Sequence, residues 1–257
     1  MTTFFYFWPF RILIIFAPVI PSSILTESMQ ESSGSQISNQ LKLLIFDLDG
    51  TLYDQIVLKR ILMRKLFFRF LSFRFSLWEF RIIRCFRIQR EARKNYFSPL
   101  LKDEQYEWCA NILGKPVSSI RKCIETYMYN FPLTFIKKTK FKGVDEFFFK
   151  ARERKVKIAI YSDYPIEDKL KVLDLVADSL YCSTQETINQ FKPSSKALEL
   201  ICKHAGCEPK YALYIGDRDD TDGEGARMTG IPFIKVDRKL AAKGIFYSNL
   251  TKQFNEL

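Results

Sequence analysis

Five short apolar runs stand out against the longer mixed stretches of the chain, and each run ends in polar or acidic residues. Apolar runs of about 4–8 residues bounded by turn-forming residues are typical of strands buried in a parallel sheet. Between the later runs, residues 144–154, 166–175 and 194–204 have the pattern of amphipathic helices. This alternation indicates an α/β fold: a Rossmann-like parallel sheet with helices on both faces. The predicted strands are LKLLIF at 41–46, KIAIY at 157–161, SLYCS at 179–183, YALYI at 211–215 and PFIKV at 232–236.

A long stretch after the first strand has the composition of helices. Residues 54–94 contain neither proline nor glycine, and residues 101–130 are interrupted only near Gly114 and Pro116. Residues 131–141, which contain Pro132, are predicted to form a connector rather than a helix. The chain is therefore expected to have a core of residues 41–53 and 142–257, with an all-helical cap of residues 54–141 inserted after strand 1.

The first 40 residues differ from the rest. Residues 3–20 are apolar but are broken by Pro9, Arg11 and Pro18, so they are too short for a spanning helix. No basic residue precedes Phe4, as the start of a secretory signal would require. A mis-assigned start, a membrane anchor and a signal peptide all stay open, and residues 21–40 form a polar linker. We expect residues 1–40 to be disordered or mis-assigned, and dispensable for folding.

Charge and composition narrow the function classes. The formal net charge is +11, and residues 53–156 hold 24 Lys and Arg against 10 Asp and Glu. Six cysteines without a CxxC pair argue against a zinc or disulfide scaffold and favour a cytoplasmic protein. A single histidine excludes histidine-based triads and sites with several histidine ligands.

Candidate chemistry lies directly after the predicted strands. Ligands of open α/β sheets bind at the carboxyl ends of the strands, so the residues found there are expected to converge. Several carboxylates in one crevice repel each other, and a hard divalent cation such as Mg²⁺ relieves that repulsion. Lys192 can bring a positive charge to the same point. The converging residues are Asp47 and Asp49, Ser162 and Asp163, and Asp217 and Asp222.

The residue types suggest phosphoryl transfer. In Asp47-Leu48-Asp49, one carboxylate can attack phosphorus while the other exchanges protons with the leaving group and with water. The Ser162 hydroxyl can hold phosphoryl oxygens, and Lys192 can neutralise developing charge. Taken alone, an Asp pair after a strand also caps helices, so the set of residues carries the argument rather than the pair.

The chain resembles the haloacid dehalogenase superfamily of phosphohydrolases, in particular its phosphoglycolate-phosphatase-like members with a helical cap after the first motif. The four motifs occur in order within residues 42–237, as DLDGT at 47–51, Ser162, Lys192 before Pro193, and GDRDDTD at 216–222. The 115-residue interval between Asp47 and Ser162 resembles the family's cap insertion.

The resemblance implies a role for each matching residue. Asp47 matches the nucleophile and Asp49 the general acid/base, which also offers its main-chain carbonyl to Mg²⁺. Lys192 matches the lysine that pairs with nucleophile and phosphate. The phosphate-binding residues implied are Thr51, Ser162, Asp163 and Lys192, and the metal-binding residues are Asp47, Asp49, Asp217 and Asp222.

These roles imply a Mg²⁺-dependent phosphomonoester hydrolase that forms an aspartyl-phosphate and acts on a small phosphorylated substrate. Two alternatives stay open: a phosphomutase of the same family, and a non-catalytic protein that binds a membrane surface or a phospho-ligand. Dehalogenation is disfavoured because it needs no acid, and Asp49 is present. Arg218 and Asp163 depart from the residues common in the family and leave the substrate in doubt.

The predicted cap interleaves basic and aromatic residues. Twelve Lys and Arg lie between Lys59 and Lys94, among seven phenylalanines and Trp78. One interpretation is a pair of helices with a small phenylalanine core and solvated arginines. The other is a surface for anionic lipid headgroups or a lipid-linked phosphate, in a protein peripheral to the membrane. No recognised nucleic-acid-binding module is present, so no nucleic-acid partner is predicted.

Overall fold

The computed structural model describes residues 41–256, with side chains as far as Phe254. The expectations for residues 1–40 concern a segment outside the described residues and stay predictions. In the described part of the chain, no helix has both the length and the apolar character that crossing a membrane requires.

A five-stranded sheet forms the centre of the core. All strands are parallel, in the order β3-β2-β1-β4-β5. The five predicted strands are confirmed, with ends shifted by one or two residues. Their bounds are Leu43–Phe46 (β1), Lys157–Ser162 (β2), Ser179–Cys182 (β3), Ala212–Gly216 (β4) and Phe233–Lys235 (β5).

Helices cover both faces of the sheet, because successive side chains of a strand point to opposite faces. Leu44 and Phe46 of β1 pack towards α6 (Val144–Glu153) and α7 (Glu167–Leu173). Leu43 and Ile45 pack towards α8 (Ser195–Ala205) and α9 (Glu224–Thr229). The predicted Rossmann-like α/β architecture is therefore confirmed.

Five helices lie between β1 and α6 and form the cap. A small core of their own, which includes Ile82, Phe86, Tyr106, Ile120 and Ile124, joins α2, α3 and α4. The helices are Gln55–Leu71 (α1), Leu77–Glu91 (α2), Leu101–Leu113 (α3), Val117–Ile124 (α4) and Phe131–Ile136 (α5), with a π-helical turn at Glu125–Asn130 and a 3₁₀ turn at Lys137–Thr139. A helical cap after strand 1 is confirmed.

The structure corrects one predicted element and adds two. Residues 131–141 are mainly helical rather than a connector, because α5 continues directly from the π-helical turn, in which the N–H of Phe131 bonds to the carbonyl of Thr126 just before Pro132. Helices α10 (Arg238–Ala242) and α11 (Ile245–Glu256) follow the last strand, where no element was predicted. Tyr247 of α11 is fully buried and donates a hydrogen bond to the carbonyl of Thr51 at 2.7 Å, so α11 supports the loop after β1.

Candidate active site at the carboxyl ends of strands β1 and β4

The strand order places a crevice at the carboxyl ends of β1 and β4. The chain leaves β1 towards β2 and β3 on one side and returns to β4 on the other, and such a switch point is where open α/β sheets bind ligands. Asp47 follows β1 and Asp217 follows β4. The main-chain N–H of Asp47 donates to the carbonyl of Ile215 at 2.9 Å, which continues the β1–β4 pairing up to the site.

Asp47 is buried, and both of its carboxylate oxygens are held. Oδ1 accepts a hydrogen bond from Lys192 Nζ at 2.7 Å, and Oδ2 accepts one from Thr51 Oγ1 at 3.0 Å. Burial raises the pKa of Asp47 well above its ordinary value against the opposing charge of Lys192, and Asp222 and Asp217 raise it further. An anionic Asp47 therefore depends on positive charge at this point.

Lys192 supplies that charge between two carboxylates. Its Nζ lies 2.9 Å from Asp222 Oδ1 as well as 2.7 Å from Asp47, and it faces the rings of Tyr161 and Tyr214. Burial disfavours the ammonium form, but Asp222 and Asp47 outweigh burial and raise the pKa of Lys192, so the side chain is cationic. Tyr214 Oη donates to Asp222 Oδ1 at 2.6 Å and fixes the second carboxylate.

Three carboxylates converge with one ammonium group among them. Oxygens of Asp47, Asp217 and Asp222 all lie within 4.8 Å of one another. Burial and the charge of Asp222 raise the pKa of Asp217 to about 6. Oxygen ligands and uncompensated negative charge are what a hard divalent cation such as Mg²⁺ requires, so these residues fit a magnesium site.

Gly50 makes this convergence sterically possible. Its φ is +102°, which disfavours any side chain, and a Cβ atom at this position would lie 2.2 Å from Asp217 Oδ2. The glycine of the DLDGT segment is therefore required both by the backbone turn and by the close approach of the β4 carboxylate.

The carboxylate of Asp49 lies apart from that cluster. Its two oxygens accept hydrogen bonds from Lys169 Nζ at 2.6 and 2.7 Å, and Oδ1 also accepts one from Tyr53 Oη. Burial and the charge of Asp49 raise the pKa of Tyr53, so its hydroxyl keeps the proton that it donates. Of the four predicted metal-binding residues, the structure brings together three carboxylates and leaves that of Asp49 separate. The Asp49 main-chain carbonyl, the atom that the resemblance assigns to the metal, stays a prediction.

The predicted phosphate-binding residues have different surroundings. Ser162 lines the cavity, and its Oγ accepts a hydrogen bond from the main-chain N–H of Tyr164 at 3.2 Å. Thr51 is fully buried behind Asp47 and does not line the cavity, so it contacts the carboxylate rather than the open space. Asp163 lines the cavity, but its Oδ1 accepts hydrogen bonds from Ser183 Oγ and from the Lys192 main-chain N–H. Asp163 therefore anchors the segment that carries Lys192.

Sequence reasoning missed Lys169 and Tyr214 as residues of the site. Tyr53 is buried against Asp49, and Asp54 caps α1 and pairs with Arg238. No local signal marks Lys169, because a lysine in a short helix is usually solvated.

The cap completes a cavity of about 260 Å³ over the carboxylates. Arg218, one of the departures from the family pattern, lines this cavity and reaches Glu91 of α2 with both terminal nitrogens, at 2.7 and 3.1 Å. Arg218 therefore connects core and cap beside the site. The cap side of the cavity is lined by Gln55, Lys59, Arg87, Arg90, Glu91 and Lys94.

Comparisons with known proteins agree with this architecture. The sequence model of one family, haloacid dehalogenase-like hydrolase, matches residues 44–236. No curated protein matches the sequence. At the sequence identities found among solved structures, the likeness shows the fold and not the reaction.

Three solved structures illustrate that likeness. A hydrolase of the haloacid dehalogenase class from Bacillus subtilis, bound to magnesium, is 12% identical with a TM-score of 0.57, covering 84% of this chain and 99% of that chain. A 2-haloacid dehalogenase from Pseudomonas syringae is 17% identical with a TM-score of 0.55 and the same coverage of 84% and 99%. A predicted phosphoglycolate phosphatase from Haemophilus somnus is 16% identical with a TM-score of 0.51, covering 77% and 86%.

Proposed function

Because the chain belongs to the haloacid dehalogenase-like hydrolases, we propose that it is a Mg²⁺-dependent phosphomonoesterase with Asp47 as the nucleophile. The observation that carries this proposal is the convergence of the Asp47, Asp217 and Asp222 carboxylates around the single ammonium group of Lys192. This cluster lies at the floor of a cavity that is otherwise lined mostly by polar side chains.

In the first step, a carboxylate oxygen of Asp47 attacks phosphorus, and the bond from phosphorus to the leaving oxygen breaks. Lys192 and Thr51 hold the two oxygens of Asp47 and fix the direction of attack. The carboxyl group of Asp49 gives a proton to the leaving oxygen, so an alcohol departs and an aspartyl-phosphate remains.

In the second step, a water molecule attacks phosphorus of the aspartyl-phosphate. The Asp49 carboxylate takes the proton of that water, and the bond from phosphorus to the Asp47 oxygen breaks. Inorganic phosphate leaves, and Asp47 is again a carboxylate. Lys169 and Tyr53 fix the position of the Asp49 carboxyl group beside the cavity, where it can take part in both proton transfers.

The residues present fit a magnesium ion. Asp47, Asp217 and Asp222 would hold it, and the bound cation would neutralise charge on the phosphoryl oxygens. Lys192 supplies a further positive charge, with its Nζ 2.7 Å from Asp47 and 2.9 Å from Asp222.

Asp49 favours phosphate ester cleavage over carbon–halogen cleavage. A halide leaves without a proton, whereas an alkoxide leaving group needs one. The carboxyl group of Asp49, two residues after the nucleophile, can supply that proton. Hydrolysis and phosphomutase chemistry share the first step and differ in whether water or an alcohol accepts the phosphoryl group.

The test is release of inorganic phosphate from p-nitrophenyl phosphate and from a panel of small phosphomonoesters, with Mg²⁺ and with a chelator. We expect turnover only with Mg²⁺, and a loss of at least ~10³-fold in kcat for Asp47→Asn. The matched control is Asp219→Asn, since Asp219 is exposed, pairs with Arg227 and does not line the cavity.

Equal turnover by wild type and Asp47→Asn would refute the assignment of the nucleophile. Transfer of phosphate between two positions of a sugar without release would indicate a mutase. Binding of phosphomonoesters without turnover under all conditions would indicate a non-catalytic phospho-ligand protein.

A further inference from the structure

The cap places two cations opposite the catalytic carboxylates. Lys59 of α1 and Arg87 of α2 both line the cavity, and Gln55 lies beside Lys59 with its Oε1 2.8 Å from Lys59 Nζ. Burial, followed by the charge of Arg87, lowers the pKa of Lys59. Both side chains line the same cavity, so an anion bound there can contact both.

The other cations of the cavity wall have partners. Arg90 donates to Gln105 Oε1 and to the main-chain carbonyl of Asp163. Lys94 and Arg218 both pair with carboxylates of Glu91 and Asp220. Within the described residues, by contrast, neither Lys59 nor Arg87 forms an ion pair with a carboxylate oxygen within 4.0 Å.

Two neighbouring cations without a counter-ion repel each other, and an anion between them relieves that repulsion. A cavity of about 260 Å³ lies slightly below the usual range of about 300–1,000 Å³ for ligand sites, so the ligand is small. Phosphate at Asp47 leaves only the cap side of this volume for the leaving group.

We propose that Lys59, Arg87 and Gln55 form a subsite for a second anionic group, and that the substrate is a small phosphomonoester whose leaving group carries a carboxylate or a second phosphate. This inference rests on the proposed function, because it assigns the reacting phosphate to the Asp47 side of the cavity.

The test compares ligands that differ in one charge. In the first pair, glycerol 3-phosphate has a hydroxymethyl group where 3-phosphoglycerate has a carboxylate. In the second pair, fructose 1,6-bisphosphate has one phosphate more than fructose 6-phosphate. Affinity is measured by calorimetry on Asp47→Asn protein, so that the result does not depend on turnover. We expect the more anionic member of at least one pair to bind roughly tenfold tighter or more.

When Lys59→Gln and Arg87→Gln are both introduced into the Asp47→Asn protein, the preference for the more anionic ligand should disappear. Arg84→Gln in the same background should leave that preference intact. Arg84 is exposed on the same helix and does not line the cavity. Equal affinity for both members of both pairs, or a preference that survives the double substitution, overturns the subsite. Phosphate release from p-nitrophenyl phosphate by protein with native Asp47 decides the proposed function separately.

A second surface is independent of the site. Residues 63–81, the basic aromatic tip, comprise the end of α1, the turn and the start of α2. Only Leu58 of the 17 residues of α1 is buried, so the helix projects beyond the cap core. Phe73 in the turn is 98% exposed, and eight further large apolar side chains are 43–66% exposed: Met63, Phe67, Phe68, Phe70, Leu71, Leu77, Trp78 and Phe80.

The tip is held in this conformation rather than folded back. Phe75 is buried and stacks edge to face on Tyr127 at 5.0 Å, and Tyr127 Oη donates to the carbonyl of Arg74 at 2.9 Å. Both contacts anchor the turn to the cap, so Phe73 and its neighbours point away from it.

The charge of the tip decides between its candidate partners. It carries Arg64, Lys65, Arg69, Arg74 and Arg81, and its one acidic residue, Glu79, is used in capping α2. Two copies placed tip to tip would repel each other, whereas an anionic bilayer surface attracts the charges and accepts the aromatic side chains at headgroup level. We infer that the basic aromatic tip binds anionic lipid surfaces.

The test is flotation of the full chain with vesicles of phosphatidylcholine alone or with phosphatidylserine. We expect binding to the anionic vesicles, reduced at least about fivefold in Phe68→Ser, Phe73→Ser, Trp78→Ser protein. Binding should also weaken as salt rises from about 0.05 to 0.5 M. The control Phe149→Ser removes an equally exposed phenylalanine from α6 and should bind as wild type does. The inference is overturned if wild-type and tip-substituted protein bind anionic vesicles equally, at any level.

Discussion

Lys169 and Asp49 form a nearly buried ion pair beside the cavity, with Nζ 2.6 and 2.7 Å from the two carboxylate oxygens. The pair spans 120 residues and joins α7 to the loop after β1. Because an unpaired buried carboxylate is costly, removing the lysine should displace the Asp49 carboxyl group from its position beside the cavity. Lys169 is thus a positioning residue for the proposed acid/base.

Lys169→Met is expected to lower kcat for p-nitrophenyl phosphate by about tenfold to a hundredfold, with a smaller change in KM. Lys169→Arg keeps the charge and should restore part of kcat. Lys171→Met, at an exposed position of the same helix, serves as the control. Parallel losses in kcat for the methionine and arginine variants would argue that Lys169 only packs.

At this scale, the sequence revealed the residues that directly follow strands. Asp47 and Asp217 were found because strand ends of a parallel sheet meet at one edge, and Lys192 because a lysine precedes a proline turn at the expected interval. Lys169 was missed because its position depends on how α7 lies across the sheet. That orientation arises from packing between distant segments and leaves no local pattern.

Among the elements, α1 is preceded by an N-cap residue, Asp54, that contacts both the start of the helix and the core. Asp54 Oδ1 accepts hydrogen bonds from the N–H groups of Ile56 and Val57, and the carboxylate also binds Arg238 of α10 at 2.8 and 3.0 Å. Asp54 is therefore the N-cap residue of α1, the first helix of the cap domain, and links that helix to the core. Asp54→Ala should lower the free energy of unfolding by about 1–3 kcal/mol.

The substitution Asp54→Asn distinguishes the contribution of helix capping from that of the ion pair with Arg238. An amide oxygen can still accept the hydrogen bonds from the N–H groups of Ile56 and Val57, but it carries no charge. Burial raises the pKa of Asp54, but the bonds from Arg238 and Val57 outweigh it and hold the pKa below 3.8. The contribution of the carboxylate is therefore present above the unfolded-state pKa of about 3.9 and is lost as pH falls through the folded-state value. The difference in urea midpoint between wild type and Asp54→Asn should shrink below pH about 4. A difference that stays constant down to pH about 2 would contradict the ion-pair explanation.

Element prediction succeeded where periodicity and turn residues agreed, as in the five strands. It gave no boundary between helices within residues 54–94, whereas Ser76 with Glu79 forms a capping box that starts a second helix there. That signal is readable from the sequence. The spacing of Phe246, Tyr247, Leu250 and Phe254 in α11 is likewise helical. The helix at Pro132 was not readable, because a proline that follows a π-helical turn and a proline in a connector look alike in the sequence.

At the scale of the whole molecule, Arg90 is a buried side chain that links the cap to the core. Its guanidinium is buried between the rings of Tyr164 and Phe191, at 4.4 and 4.2 Å, and donates to Gln105 of the cap and to the carbonyl of Asp163 in the core. Two ion pairs, Glu91 with Arg218 and Lys94 with Asp220, also link cap and core, but they are largely exposed, and exposed pairs contribute little.

Arg90→Met is therefore expected to loosen the cap over the cavity. The substitution leaves the carbonyl of Asp163 without this donor, next to Ser162 of the phosphate-binding set, so kcat/KM should fall about tenfold or more. Hydrogen exchange should accelerate in peptides covering 101–108 and 162–166, whereas α8 on the far face of the sheet should be unchanged. Arg84→Met, exposed on the same helix, should alter neither measurement. If Arg90→Met also leaves exchange and kcat/KM as in wild type, the cap is held by its other contacts with the core, such as the main-chain hydrogen bonds between residues 95–98 and 189–192.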